Sequence, residues 1–173
     1  MSLDTPRLTL LPSDPTHLVA LIDTPERFPA LAGFPVAPGL FDFYHSGDVS
    51  PAWLAALRSG TEPDPWRYGF FVVHRGERLI IGSAAYKGPP DPSGMVEIAY
   101  GIAPGYQGQG YATEAARALL DYAFGSGRVR VARAHTLPET NASTHVLKKC
   151  GFAFIGTVVD PEDGTVWRWE RGA

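Results

Sequence analysis

The run Gln107–Ala112, Gln-Gly-Gln-Gly-Tyr-Ala, constrains the fold of this chain more than any other segment. It lies between a segment of strand character, Met95–Ile102, and one with the apolar spacing of a helix, Tyr111–Phe124. Gly108 and Gly110 allow the backbone to approach a ligand closely and to adopt positive φ angles. Because the turn leads into a helix N-terminus, free N–H groups and the helix dipole favour an anion there. The pattern therefore predicts a phosphate-binding turn made of main-chain groups.

Length and composition limit the kind of protein that this chain can be. Its 173 residues, 45% of them hydrophobic, predict a single domain over residues 1–173 with a substantial core. A net charge of −3 predicts no nucleic-acid partner and no attraction to an anionic membrane. The lone Cys150 cannot form an internal disulfide, and no apolar stretch is long enough to span a bilayer. We therefore expect a soluble cytoplasmic protein.

The order of predicted elements indicates an α/β (α+β) fold with a mixed, mostly antiparallel central sheet flanked by helices. The strand predictions besides Met95–Ile102 are Arg7–Leu11, Tyr68–His74, Arg78–Tyr86, Val129–Leu137 and a closing hairpin of Phe152–Val159 with Thr165–Trp169. Helices are predicted after Asp14, Thr24 and Ser50 and over Asn141–Cys150. The Pro-, Gly- and aromatic-rich Phe34–Val49 is predicted to be a loop.

Two familiar phosphate-binding motifs do not fit the turn. A P-loop needs Gly-Lys-Ser/Thr, and no such triplet follows Gly110. A dinucleotide-binding fold would have a glycine at Thr113, and an acidic residue about 20 residues further on, where Arg128–Val131 stand. A nucleotide-binding oxidoreductase is therefore the weaker hypothesis.

The turn instead resembles the Gln/Arg-x-x-Gly-x-Gly/Ala signature of the GNAT superfamily of N-acetyltransferases, which Gln107, Gly110 and Ala112 match. Four further segments occur in the family's order and spacing: Thr5–Leu10, Val96–Ile102, Asn141–Ser143 and Lys149–Phe152. They are most similar to the branch that contains the ribosomal-protein alanine acetyltransferases. The resemblance implies a domain that transfers acetyl from acetyl-CoA, without a metal, to a primary amine by direct attack in a ternary complex.

The resemblance also implies which residues bind the cosubstrate. In this family the strand before the turn splays from its neighbour, and its free backbone groups bind the pantetheine arm. Those groups would belong here to Ile98, Ala99, Tyr100, Gly101 and Ile102, with an oxyanion donor near Ala99 or Tyr100. The pyrophosphate would lie on the N–H groups of Gln107, Gly108, Gln109, Gly110, Tyr111 and Ala112, and Asn141 would bind pantetheine. Ile98 and Ile102 are equally well explained as core residues.

Glu97 is the candidate general base. An ammonium must lose a proton before it can attack a thioester, so a proton acceptor is needed beside it. A carboxylate among the apolar residues of a central strand is costly to bury, and burial makes it a better acceptor near neutrality. The resemblance implies the same role, directly or through water. The alternative is a structural glutamate that holds a lysine or a backbone amide.

Ser143 is the candidate acid for the departing thiolate. Many relatives have a tyrosine four residues before the Gly-Phe pair, where this chain has Leu147, so the donor is Ser143 or none. Asn141 and Ser143 are equally typical of a helix N-terminus. The other polar candidates are weaker. His135 and His145 are more typical of non-catalytic histidines and Cys150 of a buried cysteine, while Arg117, Lys148 and Lys149 fit CoA phosphates and solvated helix charges equally.

The acceptor is the least constrained part of the hypothesis. We expect the loop Phe34–Val49 to face the substrate, because loops on a rigid scaffold often determine specificity. Phe41, Phe43 and Tyr44 would line a pocket or cover the core, and Asp42 and Asp48 would attract an amine. A protein N-terminus, a polyamine, an aminoglycoside and an amino acid all stay open as acceptors. The family makes a homodimer plausible, and a non-catalytic acyl-CoA sensor on the same fold is the alternative function.

Overall fold

The computed structural model describes residues 1–42 and 50–173, and its centre is one eight-stranded sheet. The strands are β1 Leu3–Asp4, β2 Leu8–Pro12, β3 Phe70–His74, β4 Leu79–Tyr86, β5 Met95–Ile102, β6 Val131–Thr136, β7 Ala153–Asp160 and β8 Gly164–Gly172. They lie in the order β1-β2-β3-β4-β5-β6-β8-β7. Among the strands that the structure describes, β5 and β6 are the only parallel neighbours, and every other adjacent pair is antiparallel. The predicted mixed, mostly antiparallel sheet is confirmed.

Six α-helices of the described residues flank the sheet, and short polar residues cap several of them. They are α1 Pro15–Asp23, α2 Phe28–Ala32, α3 Pro51–Ser59, α4 Pro65–Tyr68, α5 Tyr111–Gly125 and α6 Ala142–Lys149. Asp14 Oδ1 accepts from the backbone N–H of Thr16 at 2.8 Å, and Pro15 fills the first helical position, where it needs no donor. None of these helices combines the length and apolarity needed to cross a membrane.

Two local predictions were wrong. Tyr68 ends α4 rather than beginning a strand, because Asp64 caps a short helix at Trp66 N and Gly69, with φ +68°, turns the chain into β3. The Asp-Pro pair at Asp64 is a helix-start signal that could have located α4. The two-residue β1 was also missed, since a strand this short has no measurable periodicity. β6 spans Val131–Thr136, two residues shorter at its start than predicted.

The core lies mainly between the sheet and α5. Val96 and Ile98 of β5 point to this side, and Leu119 and Leu120 of α5 are buried there. Phe41 packs against two other aromatic rings, and its ring centroid lies 6.4 Å from that of Phe28 and 6.1 Å from that of Phe71. Phe41 therefore covers the core, which was the alternative to a pocket role. Phe43, Tyr44 and Asp48 lie outside the described residues.

The sheet opens between β5 and β6. These strands pair only from Met95 opposite Val131 to Glu97 opposite Arg133. From residue 134 onward β6 pairs with β8 alone, as in the pair Ala134 and Trp169, while β5 continues along β4 to Ile102. The two parallel strands therefore splay apart immediately beyond Glu97, and no strand within 1–42 and 50–173 pairs with this edge of β5 over residues 98–102.

Candidate active site

The register of β4 and β5 determines which backbone groups of β5 face the gap between β5 and β6, which we call the splay. Lys87 N donates to Glu97 O at 2.9 Å, and Ala103 N donates to Ile81 O at 2.8 Å, so odd-numbered β5 residues bond to β4. Opposed residues in an antiparallel ladder alternate between bonded and non-bonded pairs. The N–H and C=O groups of Ile98 and Tyr100 therefore point into the splay, whereas those of Ala99 and Gly101 point toward β4.

The turn after β5 has the geometry of an anion cradle. Gly108 and Gly110 have φ angles of +75° and +85°, and Gly110 occupies the N-cap position of α5 without a capping side chain. The first-turn N–H groups, which begin at Tyr111, have no intrahelical acceptor and point away from the helix. Gln107 Nε2 donates to Ile102 O at 2.9 Å and ties the turn to the end of β5. This arrangement fits the pyrophosphate of a CoA molecule.

A clamp from the segment between β1 and β2 fixes the start of α5. Arg7 donates to Gln109 O at 3.0 Å and to Glu114 Oε2 at 2.9 Å, and its guanidinium lies 4.2 Å from the ring centroid of Tyr111. Burial acts to raise the pKa of Glu114, but hydrogen bonds from Thr5 and Arg7 outweigh it and hold that pKa below its ordinary value. Sequence reasoning missed Glu114, although an acidic residue in a first helical turn is a recognisable signal.

A cleft of about 290 Å³ lies in the splay. Both candidate catalytic residues, Glu97 and Ser143, line it, together with Tyr100 and the buried Leu147. Tyr100 Oη donates to Ser143 O at 3.5 Å, a long bond that links β5 to the first turn of α6. Burial raises the pKa of Tyr100, so its hydroxyl stays protonated near neutrality. The fold thus brings Glu97 and Ser143, which are 46 positions apart in sequence, to the same cleft.

Glu97 lines this cleft at the point where β5 and β6 separate. Its side chain is 17% exposed, and its Oε2 lies 3.0 Å from Lys87 Nζ and 3.1 Å from His135 Nδ1. Lys87 also lies 3.6 Å from Asp163 in the turn between β7 and β8. Glu97 therefore holds a lysine, as the structural alternative supposed, and it faces the cleft, as a base must. The two roles are compatible.

His135 is held in one tautomer by its neighbour on β8. Arg168 Nε donates to His135 Nε2 at 3.1 Å, and an acceptor nitrogen carries no proton, so the neutral ring is protonated at Nδ1. Nδ1 lies close to Glu97 but outside hydrogen-bond geometry, and it is a buried polar atom without a hydrogen bond among the described residues.

A larger cleft of about 910 Å³ opens beside the first. Aromatic side chains line much of it, and its charged lining residues within 1–42 and 50–173 are Arg67, Lys87 and Glu162. Lys87, Ala99 and Tyr100 line both clefts, so the two spaces adjoin at these residues, and Lys87 Nζ lies 3.0 Å from Glu97 Oε2. Gly101 lines the larger cleft, and no other described residue, its chain neighbours aside, has a heavy atom within 4 Å of its Cβ position. The clefts thus adjoin beside Lys87, whose ammonium contacts the carboxylate of Glu97.

Asn141 caps α6. Its Oδ1 accepts from Thr144 N at 3.1 Å, and Thr144 Oγ1 accepts from Asn141 N at 3.0 Å, which forms a reciprocal capping box. The helix-cap interpretation is therefore confirmed, and the side-chain amide N–H groups are the part of Asn141 that can bind a ligand. Ser143 is half-buried in the first turn and its side chain borders the smaller cleft.

The remaining polar candidates lie elsewhere. Cys150 is 3% exposed, and burial raises the pKa of its thiol, so it lacks the thiolate character of a nucleophile. Arg117 Nη2 donates to Lys149 O at 3.3 Å, which caps the C-terminus of α6. His145 is exposed on α6 and lines neither cleft. No cluster of three or more potential metal ligands occurs within 1–42 and 50–173.

A mixed sheet that splays beside a glycine turn and a helix N-terminus is the architecture that the resemblance to N-acetyltransferases implies. Residues 7–153 match the acetyltransferase (GNAT) domain family, and the chain belongs to this family. The uncharacterized N-acetyltransferase YjdG of Bacillus subtilis is 29% identical over 89 residues, which are 51% of this chain and 51% of that protein. The chain thus spans about half the length of the curated relatives it matches.

Solved structures share the fold along its whole length. The ribosomal-protein-S5-alanine acetyltransferase of Vibrio fischeri superposes with a TM-score of 0.66 at 18% identity, over 99% of this chain and 96% of that one. RimL, the ribosomal L7/L12 alpha-N-protein acetyltransferase in complex with coenzyme A, has a TM-score of 0.66 at 16% identity, over 99% and 98%. At these identities the likeness shows the fold alone.

Proposed function

We propose that this protein transfers the acetyl group of acetyl-CoA to a primary amine. The observation that supports this most strongly is that two clefts adjoin at Lys87, whose ammonium contacts Glu97. One cleft runs along the unpaired edge of β5, and the other is lined by aromatic side chains. The first suits the pantetheine arm and the second suits an acceptor. Coenzyme A in the RimL complex supports the same cosubstrate here.

The backbone would bind the cosubstrate. The free N–H and C=O groups of Ile98 and Tyr100 would pair with the pantetheine amides, as an added strand pairs with a sheet edge. The N–H groups of Gly108, Tyr111 and Ala112 would bind the pyrophosphate with help from the helix dipole. Since the donors are main-chain atoms, this half of the site depends on backbone conformation more than on side-chain identity.

Glu97 would accept the proton of the acceptor ammonium, directly or through a water molecule. The amine nitrogen would then attack the thioester carbonyl, and the N–H of Tyr100 or Ile98 would stabilise the oxyanion. The C–S bond breaks, and the thiolate takes a proton from Ser143 or from water. The nitrogen gives up its second proton, which restores that donor, so the products are the amide, CoA and one released proton. Holding both reactants in adjoining clefts would supply much of the acceleration. The nitrogen attacks directly, so no acetyl-enzyme forms.

The acceptor is proposed only as a primary amine, on a protein N-terminus or on a small molecule. The ribosomal-protein acetyltransferases among the structural neighbours favour the former. The aromatic lining of the larger cleft is compatible with either one. A cytoplasmic location, a possible homodimer and the absence of nucleic-acid and membrane partners stay predictions from sequence.

Thermal unfolding with acetyl-CoA, CoA, NAD and ATP in parallel tests the cosubstrate. A ligand at about 100 times its Kd adds roughly 2.7 kcal/mol of stability, so the melting temperature should rise with acetyl-CoA and CoA alone. Release of free thiol with a panel of peptides and small amines then tests the reaction. Stabilisation by CoA without turnover on any amine would favour the acyl-CoA sensor, and stabilisation by NAD alone would favour an oxidoreductase.

A further inference from the structure

Lys87 holds a primary amine beside the candidate base. Its position is fixed by the sheet, because Lys87 follows Tyr86, which pairs with Ile98, and Lys87 N donates to Glu97 O at 2.9 Å. Its Nζ lies 3.0 Å from Glu97 Oε2. That distance is within the reach at which a base abstracts a proton. The geometry is the one required of an acceptor amine, and a residue of the chain itself supplies it.

The same amine lies where the two clefts meet. Lys87 lines both the cleft in the splay and the larger aromatic cleft, and its side chain is 44% exposed. Ala99 and Tyr100 border the same junction on β5. An acetyl group that reaches this junction along the unpaired edge of β5 would therefore meet Lys87 before any external acceptor bound.

The charge state of Lys87 makes Glu97 necessary for such a reaction. Burial acts to lower the pKa of Lys87, but Glu97, Asp163 and Asp160 outweigh it and raise that pKa above its ordinary value. The side chain is therefore an ammonium near neutrality and has no lone pair for attack. It needs a proton acceptor, and the carboxylate that it already contacts is the nearest one.

We propose that Lys87 is a self-acetylation site, modified by the catalytic groups of its own molecule with acetyl-CoA as the donor. The inference rests on the acetyltransferase function proposed above. One ammonium proton passes to Glu97 and from there to solvent, and Nζ forms a bond to the thioester carbonyl carbon. The C–S bond breaks and its electron pair leaves with sulfur. A second proton from the nitrogen goes to the thiolate, so the products are acetyl-Lys87, CoA and one released proton.

The modification would change the site that produced it. An acetylated lysine has no positive charge, so the ion pairs of Lys87 with Glu97 and Asp163 would be lost. Glu97 would then keep His135 as its neighbour, and the amide would occupy part of the junction between the clefts. We therefore expect the KM for an external amine to differ between the modified and unmodified protein.

The chain offers a clean test because it has three lysines, and the other two, Lys148 and Lys149, are exposed at the end of α6 outside both clefts. The protein is incubated with acetyl-CoA in the absence of an acceptor, and peptide mapping by mass spectrometry quantifies acetylation at each lysine. CoA in place of acetyl-CoA gives the blank. Lys148 and Lys149 report the chemical acetylation that any exposed lysine undergoes.

We expect Lys87 to be acetylated at least about tenfold faster than Lys148 and Lys149, at a rate independent of protein concentration. Glu97→Gln should slow modification of Lys87 by about 10²-fold while leaving the other two lysines unaffected. Glu170→Gln, which alters a carboxylate paired with Arg133 outside the clefts, should have no such effect. Stabilisation by acetyl-CoA verifies that each variant is folded.

Equal acetylation of all three lysines, or a Lys87 rate that is unchanged in Glu97→Gln, would overturn the self-acetylation. If the wild-type protein also acetylates an external amine, the proposed function stands and only this inference fails. If neither Lys87 nor any amine is acetylated although acetyl-CoA stabilises the protein, the proposed function fails as well.

Discussion

The two halves of the candidate site are built in different ways. The donor half consists of main-chain groups, from the unpaired edge of β5 and the turn at Gln107–Ala112. The acceptor half consists of side chains from separate segments. Glu97 and His135 belong to β5 and β6, and Lys87 is the residue that follows β4. Backbone conformation at a few glycines fixes the first, whereas the register of three strands fixes the second.

This difference determines how each half responds to substitution. In the donor half, a side-chain change matters where it alters φ or fills space beside an N–H group, as at Gly108 and Gly110. In the acceptor half, an isosteric change of one functional group is enough, because the group itself is what acts. Substitutions chosen on this basis should separate cosubstrate affinity from turnover.

The largest effect is expected at Glu97. Glu97→Gln removes the proton acceptor with little change of shape, so kcat should fall by about 10²-fold or more. The Kd for acetyl-CoA should stay within about twofold, since the cradle is elsewhere. Glu170→Gln serves as the control carboxylate, because Glu170 pairs with Arg133 at 2.7 Å and lines neither cleft. Unchanged turnover in Glu97→Gln would remove Glu97 from the role of base.

The second effect is expected at Gly110. Gly110→Ala imposes a side chain at φ +85°, where it also meets Arg7 Nη2 at 3.2 Å, and strain of about 1–2 kcal/mol should distort the cradle. The Kd for CoA, measured by calorimetry, should rise about tenfold. Gly105→Ala is the matched control, since Gly105 has no positive φ and open space around its Cβ position. Equal affinity in both variants would mean that the turn does not bind the phosphates.

Substitutions at Gly101 test the acceptor half by adding bulk to the larger cleft, without removing a functional group. A side chain there extends into the larger cleft and meets no heavy atom within 4 Å at Cβ, so the fold should tolerate it. The KM for an amine should rise through the series Gly101→Ala, Gly101→Val and Gly101→Leu, by about tenfold in the last. The thermal shift with CoA should stay constant. A parallel loss of CoA binding would show that the two clefts are not separable.

A smaller effect separates the two roles of Asn141. Asn141→Asp keeps an N-cap oxygen and removes the amide donors, so folding stability should be retained while the Kd for CoA rises about two- to tenfold. Asn141→Ala should lose about 1 kcal/mol of stability in addition. Both are measured by denaturant unfolding and calorimetry. If Asn141→Asp binds CoA as tightly as the wild type, Asn141 is a helix cap alone.

The smallest effect concerns the clamp on α5. Because the pKa of Glu114 is held below its ordinary value, the group stabilises the folded state above about pH 4.5 and loses this contribution as the pH falls through the lowered pKa. Glu114→Gln should cost about 1 kcal/mol near neutral pH, a modest value because Arg7 is 43% exposed, and less at acid pH. A stability difference that does not depend on pH would contradict the ion-pair explanation.

The donor half could be located from sequence because its signals are local. β5 was predicted with its observed bounds, and α5 with its observed start, since the glycines and the apolar periodicity lie within one segment of about 30 residues. The splay itself came from resemblance to the family rather than from any residue pattern. Only the pairing with β4 shows that the backbone N–H and C=O groups of Ile98 and Tyr100 point into the splay, while those of Ala99 and Gly101 point toward β4.

The surroundings of Glu97 could not be predicted, because they depend on the register between strands distant in sequence. No sequence pattern indicates that Lys87 or His135 is a neighbour of Glu97. The contact of Glu97 with His135 requires β6 to align Arg133 opposite Glu97, which no local pattern specifies. The contact of Glu114 with Arg7 could not be predicted either, because the two residues lie 107 positions apart in sequence.

Backbone amide chemical shifts in a CoA titration test the central claim most directly, because they report on the main-chain groups that should bind the ligand. The account predicts large shifts for Tyr111, Ala112 and Gly108, and an alternating pattern on β5, with Ile98 and Tyr100 strongly affected and Ala99 and Gly101 weakly affected. Shifts confined to other surfaces, or a β5 pattern of the opposite alternation, would contradict a cosubstrate site made from this strand edge and turn.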